Sequence, residues 1–199
     1  AQTIPITGIL VVTTPQEVAS SVASKAIGMF SKLNVPMLGV VENMSHFECS
    51  KCNEKHYIFG QGGAERISEK HNMPLLGAIP LNSGIMEGSE LGKPVMITQP
   101  DSPSAEAFTV AAKNIAAQCS IQHYKQKEEA EAEAKWDGLS PEERKKILVG
   151  IIDEMVTLGG NILPEDENKT WAELERAIQV AIIQHLFGKP KVQTTPPAS

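Results

Sequence analysis

Two cysteines, Cys49 and Cys52, stand two residues apart in the polar stretch from Glu42 to His56. Thiolates at this spacing can bind one metal, because the turn between them aims both sulfurs inward. A closed tetrahedral site needs four ligands, and this pair supplies two. One completion takes a second copy of the chain, giving a site of four cysteines on a two-fold axis that suits a [4Fe–4S] cluster or a zinc ion. Another joins His46 and His56 to the two cysteines in a zinc knuckle of one chain, spaced H-x2-C-x2-C-x3-H. A third is a dithiol–disulfide redox pair, which usually opens a helix after a strand; here polar loop residues surround it. The bland alternative is an incidental surface loop.

Little else in the chain offers chemistry. Cys119 sits on an Ala-rich helical pattern and reads as a small core residue. His71 reads as a solvated surface histidine, and His123 and His185 have no cysteine or acidic cluster near them in sequence. The acidic run 128–133 reads as a solvated face. Gly60, Gly62 and Gly63 resemble a phosphate loop only superficially, since no G-x-x-x-x-G-K-[ST] occurs. No acidic pair or Ser/His/Asp set stands out, so no catalytic residue is assigned.

Composition narrows the partners. The 199 residues carry 18 basic and 24 acidic side chains, a net charge of −6. That argues against nucleic acid and against anionic membrane surfaces, which want a basic face. No apolar run approaches the roughly 18 residues of a membrane span. Three cysteines leave one over in any disulfide framework. The chain starts Ala1-Gln2-Thr3-Ile4 and enters a strand-like run almost at once. It is therefore expected to be a piece of something longer. The cytoplasm is the expected compartment, with the mitochondrial matrix as the alternative.

The elements that must position the cysteines follow from periodicity. Gly8 to Thr14 is a β-branched run suited to a strand buried on both faces. Val18, Val22, Ala26, Met29, Phe30 and Leu33 predict one apolar helical face, stopped by Asn34 and Pro36. Met37 to Val41 is a second strand, and 43–63 is a long polar loop. Ala64 to His71 is a short helix, Leu75 to Ile79 a third strand, and Ser102-Pro103 opens a helix to about Cys119. Alternating strands and helices predict an α/β fold, a doubly wound, mostly parallel sheet, over residues 1–120.

The remainder reads as helical. Residues 121–138 form a charged helical connector, 139–188 an α-helical hairpin, and 189–199 a disordered tail. Ser140-Pro141-Glu142-Glu143 and Thr170-Trp171-Ala172-Glu173 carry N-terminal capping signals. Ile147, Leu148, Ile151, Ile152 and Met155 make one apolar stripe ended by Gly159-Gly160. Leu174, Ile178, Ile182 and Leu186 make the other.

With these segments in view, residues 6–119 resemble the C-terminal half of the Mrp/ApbC-type iron–sulfur cluster carriers, which are MinD-like P-loop ATPases. The resemblance rests on Ile6-Thr7-Gly8 through Thr13-Thr14-Pro15-Gln16, Gly39-Val40-Val41-Glu42-Asn43-Met44-Ser45, and Cys49-Ser50-Lys51-Cys52. It continues through Ile58-Phe59-Gly60 with Gly62-Gly63-Ala64, then Leu76-Gly77-Ala78-Ile79-Pro80-Leu81, then Gly92-Lys93-Pro94-Val95. It implies a homodimer that bridges a labile [4Fe–4S] cluster between the Cys49/Cys52 pairs of two subunits. It also implies delivery of that cluster to apo iron–sulfur acceptor proteins, with ATP and magnesium used by the full-length protein. The resemblance also implies that Asn43 falls where the family contacts the adenine base, with Pro80 near the base as well. The family's lysine-bearing phosphate loop has no counterpart in this chain, so the chain by itself is expected not to hydrolyse ATP. An unpaired sheet edge would also make it prone to fold poorly or aggregate. The helical extension from residue 121 lies outside the resemblance.

Overall fold

A computed structural model describes residues 6–33, 35–49, 51–152, 155 and 162–188. Contacts divide it into two compact units, meeting between His123 and Tyr124. The first unit is built on a mostly parallel sheet. Strand β1 (Ile9–Thr13) pairs parallel with β2 (Met37–Glu48), Val12 opposite Val41. Strand β4 (Leu75–Leu81) pairs parallel with β2, Glu42 opposite Ala78. The two-residue β3 (Lys55–His56) pairs antiparallel with the end of β2. Phe47 pairs with both His56 and Leu81, so β3 and β4 lie on opposite edges of β2.

Helices cover both faces, as a parallel sheet of continuous apolar strands requires. Successive β2 side chains point to opposite faces, and Val40 and Val41 seed two separate cores. Helix α1 (Glu17–Ser31) sends Ala23 and Ile27, and α2 (Gly63–His71) sends Ala64 and Ile67, onto Val11, Val40 and Met73. On the other face Val41, Leu76 and Ile79 meet Ala111 of α5 (Pro103–Asp137), with Ile85 of α3 (Ser83–Glu90) beside them. A Cβ on Gly77 would lie 2.8 Å from the Ala111 Cβ, so the glycine lets α5 close on β4. The four-residue α4 (Val95–Thr98) anchors through buried Val95.

The second unit packs the later part of α5, α6 (Pro141–Gly150) and α7 (Arg176–Phe187) around Trp136, Leu148, Ile151, Met155, Trp171, Ile178 and Ile182. Ser140 caps α6: Glu143 Oε2 accepts the Ser140 N–H at 2.9 Å, and Ser140 Oγ accepts the Glu143 N–H at 3.4 Å. Glu173 likewise accepts the Thr170 N–H at 2.8 Å. These backbone N–H bonds, with the Ser140 and Thr170 hydroxyls, hold both carboxyls below the usual carboxylate range. A lowered folded pKa contributes stability above the unfolded value of about 4.3 and loses it as pH falls through the folded value. Helical circular dichroism should therefore decline on acidification below that range. The Glu143→Gln/Glu173→Gln pair should flatten the decline, and an unchanged acid limb would rule the caps out as its cause.

Several expectations are corrected. The face predicted to be buried on α1 turns outward: Val18, Val22, Met29 and Leu33 are exposed, while Ser20, Ala23 and Ile27 are buried. Among the described residues β1 is an edge strand. The small Ala23 surface lets α1 approach the sheet closely, and Val22, Ala26 and Phe30 face a cleft along β1 instead. The 43–63 stretch is not all loop, because β2 runs on to Glu48 and pairs with β3. Helix α5 continues unbroken through 121–137. The Thr170 cap opens only a 3-10 turn (Trp171–Glu173), and α7 starts at Arg176. There Asp137 Oδ1 takes the Trp171 N–H at 2.7 Å and draws the chain off the helical path. Asn34, Gly159-Gly160 and the 189–199 tail lie outside the described residues. Among the described residues no helix is long and apolar enough to cross a membrane.

Candidate metal centre and its surroundings

The cysteines ride on an arm made by the far end of β2. Met44 adopts a left-handed φ of 56°. Between Asn43 and Phe47, β2 advances four residues while β4 advances two, from Ile79 to Leu81. This bulge re-aims the strand, as bulges do, and the Ser45 hydroxyl donates to the Ile79 carbonyl at 3.1 Å across it. Beyond the bulge the chain pairs with β3 and closes a tight turn. The Cys49 N–H donates to the Glu54 carbonyl at 3.0 Å, and the Asn53 N–H donates to the Cys49 carbonyl at 2.8 Å. Asn53 takes the left-handed conformation (φ 57°) that asparagine tolerates.

That turn presents both sulfurs to the outside. Cys49 is half-buried and Cys52 exposed, and both are free thiols. The N–H groups of Lys51 and Cys52, with the Cys52 side chain, lower the Cys49 pKa below the ordinary thiol value. A thiolate is the metal-binding and nucleophilic form, so the turn prepares Cys49 for ligation.

The two histidines do not join them. His56 lies opposite Phe47 on the paired strands, with rings 6.4 Å apart. His46 precedes Phe47 in β2 and so faces the other side, where its Nδ1 meets the Ser45 hydroxyl at 2.9 Å and its ring lies 6.1 Å from that of Tyr57. Burial and the nearby Lys55 lower the His46 pKa. Among the described residues no three His, Cys, Asp or Glu side chains are grouped to hold a metal ion. The knuckle of His46, Cys49, Cys52 and His56 is therefore corrected: strand pleating sends its histidines to opposite faces.

Asn43 and Pro80 occupy different clefts. Asn43 sits opposite Ile79 in the sheet, accepts the Met44 N–H on its own Oδ1, and lines the cleft along β1 and α1. Pro80 lines a cleft of about 260 Å³ beside Cys49, with Glu48, Asn82, Pro103 and Ser104. The glycine run has a packing reason, since a Cβ on Gly63 would lie 2.7 Å from the Pro15 backbone.

Sequence reading missed three features here. Buried Glu42 accepts the Ala64 N–H at 3.0 Å on Oε1, at the start of α2. Burial raises its pKa, against the helix N–H bonds that lower it. Glu42→Ala would leave those N–H groups unpaired, so denaturant unfolding of this unit should show a loss of about 1–3 kcal/mol; an unchanged midpoint would count against the cap. His71, expected in solvent, has a buried Nε2 with no partner among the described residues. Ser104 is also buried, and its hydroxyl has no partner among the described residues. Glu42 and Ser104 owe their surroundings to segments 20 or more residues away, which no local pattern announces.

Comparison with known proteins adds the following. The ParA family model described as NUBPL iron-transfer P-loop NTPase matches residues 1–116. The "Iron-sulfur cluster transfer protein NUBPL" of Dictyostelium discoideum is 44% identical over 120 residues, 60% of this chain and 37% of that protein. The "Iron-sulfur cluster carrier protein" of Escherichia coli K12 is 47% identical over 118 residues, 59% of this chain and 32% of that protein. A solved nucleotide-binding protein from Archaeoglobus fulgidus, in complex with ADP, is 36% identical with a TM-score of 0.41, covering 49% of this chain and 39% of that one. The chain thus spans about a third of the length of the curated relatives it matches.

Proposed function

Because the chain belongs to the ParA family of iron-transfer P-loop NTPases, homologous to the Mrp/ApbC cluster carriers, we propose that it is the cluster-holding part of an iron–sulfur cluster carrier. Its cargo is a labile [4Fe–4S] cluster bridged between two copies, Cys49 and Cys52 of each supplying the four thiolates. The observation that carries this reading is the free thiol pair at the tip of the β2–β3 arm, Cys49 half-buried and Cys52 exposed, with no third ligand grouped beside it among the described residues. Two thiolates from one chain bind two of the cluster's four irons, and a second arm related by a two-fold axis supplies the thiolates for the other two.

Transfer is ligand exchange. An acceptor thiol gives its proton to the departing Cys49 or Cys52 sulfur and forms its own iron–sulfur bond as the carrier's breaks. Exposure at a turn suits this exchange, because an incoming thiolate must reach the iron. ATP and magnesium drive the cycle in the longer protein. By the family resemblance Asn43 contacts the adenine base with Pro80 near it, although the two line different clefts of this chain, and the phosphate-binding lysine loop, which this chain lacks, comes from the rest of the family domain. The compartment is the cytoplasm or the mitochondrial matrix, and the recipients are apo iron–sulfur proteins.

The test is anaerobic reconstitution with iron and sulfide. The reading predicts a broad band near ~400 nm and about two irons per chain, from four irons on two chains, together with a shift to dimer mass. His46→Ala/His56→Ala should keep the iron. Zinc at one per chain without colour, lost in that histidine variant, would defeat the reading.

A further inference from the structure

The cysteine turn has the geometry of a disulfide motif as well as of a metal arm. The Asn53 N–H donates to the Cys49 carbonyl at 2.8 Å, four residues back, which is the bond of a single α-helical turn. Residues three apart on such a turn have Cα atoms about 5 Å apart. A disulfide needs a Cα separation of about 4.4–6.8 Å, so Cys49 and Cys52 stand in bridging range. Their side chains already hydrogen-bond each other, and both are free thiols. The third cysteine, Cys119, belongs to α5 and not to this turn. A redox pair usually opens a helix after a strand; here one helix-like turn following β2 takes that place.

The two thiols differ in access, since Cys52 is exposed and Cys49 half-buried. Thiol–disulfide exchange proceeds through a mixed disulfide, and access decides which sulfur reacts first. Cys52 is the sulfur that a disulfide from solution meets, and Cys49, in contact with it, is the one placed to resolve the adduct. We infer that the arm is redox-gated: a small-molecule disulfide such as glutathione disulfide converts Cys49 and Cys52 into an internal disulfide, and that form holds no cluster. In the first exchange a bond forms between Cys52 Sγ and one glutathione sulfur, the S–S bond of glutathione disulfide breaks, and the departing glutathione takes the Cys52 proton. In the second, Cys49 Sγ bonds to Cys52 Sγ, and the second glutathione leaves with the Cys49 proton. Two thiols are oxidised and one glutathione disulfide is reduced to two glutathiones. The bridged sulfurs no longer offer thiolates, which are the form that binds metal. The gate rests on the carrier function proposed for this pair; closure of the disulfide does not.

The experiment uses the full, metal-free chain carrying Cys119→Ser, so that every thiol counted lies on the arm. After exposure to glutathione disulfide, the denatured protein is alkylated and its mass measured. The expected product carries neither alkyl group nor glutathione and is a single chain, and dithiothreitol should restore alkylation at both cysteines. Adding Cys49→Ser should stop the reaction at a lasting glutathione adduct on Cys52, and Cys52→Ser should gain its adduct at least tenfold more slowly. The iron-loaded chain should close at least tenfold more slowly than the metal-free chain, because its sulfurs are held by iron. Two alkylated cysteines, a lasting adduct on the parent pair or a disulfide between chains would overturn the closure. Equal rates with and without iron would overturn the gate. A reduced chain that takes up no iron would defeat the carrier function and the gate with it, while the mass still reads closure on its own.

Discussion

A single Cys49→Ser substitution should empty the chain of iron as thoroughly as Cys49→Ser/Cys52→Ser. The reason is symmetry. If two copies share one cluster, one substitution per chain removes two of four thiolates at once. A serine oxygen is a hard donor and a poor substitute for a soft thiolate on a cluster. Iron should fall from about two per chain to background, with loss of the visible band, and Cys52→Ser should do the same. Cys119→Ser is the control and should keep its iron, because Cys119 belongs to α5 and not to the β2–β3 turn that carries the pair. The decisive variant is a mixed dimer, one parent chain and one Cys49→Ser chain, isolated through two different tags. It retains three thiolates and should hold an intermediate amount of a more labile cluster. Half the iron remaining in the homogeneous single variant would mean that each chain binds metal by itself, and would sink the shared site. The N–H groups of Lys51 and Cys52 lower the Cys49 pKa below the ordinary thiol value, so Cys49 gives up its proton to an incoming metal more readily than a free thiol does.

The parts of this molecule that were legible in the sequence are those encoded by near neighbours. The β-branched run at Ile9–Thr13, the apolar strand at Leu75–Ile79 and the Ser140 capping box each announce an element within a few residues, and each is present. The C-x-x-C spacing is equally local. What was not legible depended on the other side of a contact. Helix α1 has two apolar stripes, and sequence periodicity cannot say which one faces the sheet. The longer Val18–Val22–Met29 stripe looked stronger, yet the smaller Ala23–Ile27 stripe wins because small side chains let helix and sheet close together. The β2 extension was hidden because Met44 breaks the alternation that marks a strand. The histidine knuckle failed for a related reason: its spacing is right for a loop, but a strand sends His46 and Phe47 to opposite faces. Ser104 and Glu42 gain their meaning from partners far along the chain.

Arg144→Met should unfold the helical unit at markedly lower denaturant. The Arg144 side chain is nearly buried, 9% exposed, and spends its guanidinium on backbone carbonyls. Nε donates to the Trp136 carbonyl at 3.0 Å, Nη1 to that of Lys169 at 3.0 Å, and Nη2 to that of Asp137 at 3.1 Å. Trp136 and Asp137 are the last residues of α5, whose carbonyls have no partner within the helix. A cation there also opposes the negative end of the helix dipole. Its Cζ lies 5.4 Å from the centre of the Trp136 ring, within cation–π range. One side chain thus ties the end of α5 to α6 and to the segment before Trp171. Hydrogen bonds to a charged group are worth about 1.5–3 kcal/mol each and are not additive, so a loss of about 3–5 kcal/mol is expected. That is a large share of the 5–15 kcal/mol typical of a whole domain. Arg144→Lys should recover little, because an ammonium is one compact charge and cannot fork to three carbonyls. The readout is built in: the chain's two tryptophans, Trp136 and Trp171, both lie in this core, so tryptophan fluorescence follows this unit alone. Urea titration of the full chain should show the fluorescence transition moving to lower denaturant in Arg144→Met and Arg144→Lys, while iron loading at Cys49 and Cys52 persists. A lysine variant within about 1 kcal/mol of the parent, the size of one ordinary hydrogen bond, would show that charge rather than the three-way fork holds the α5 terminus.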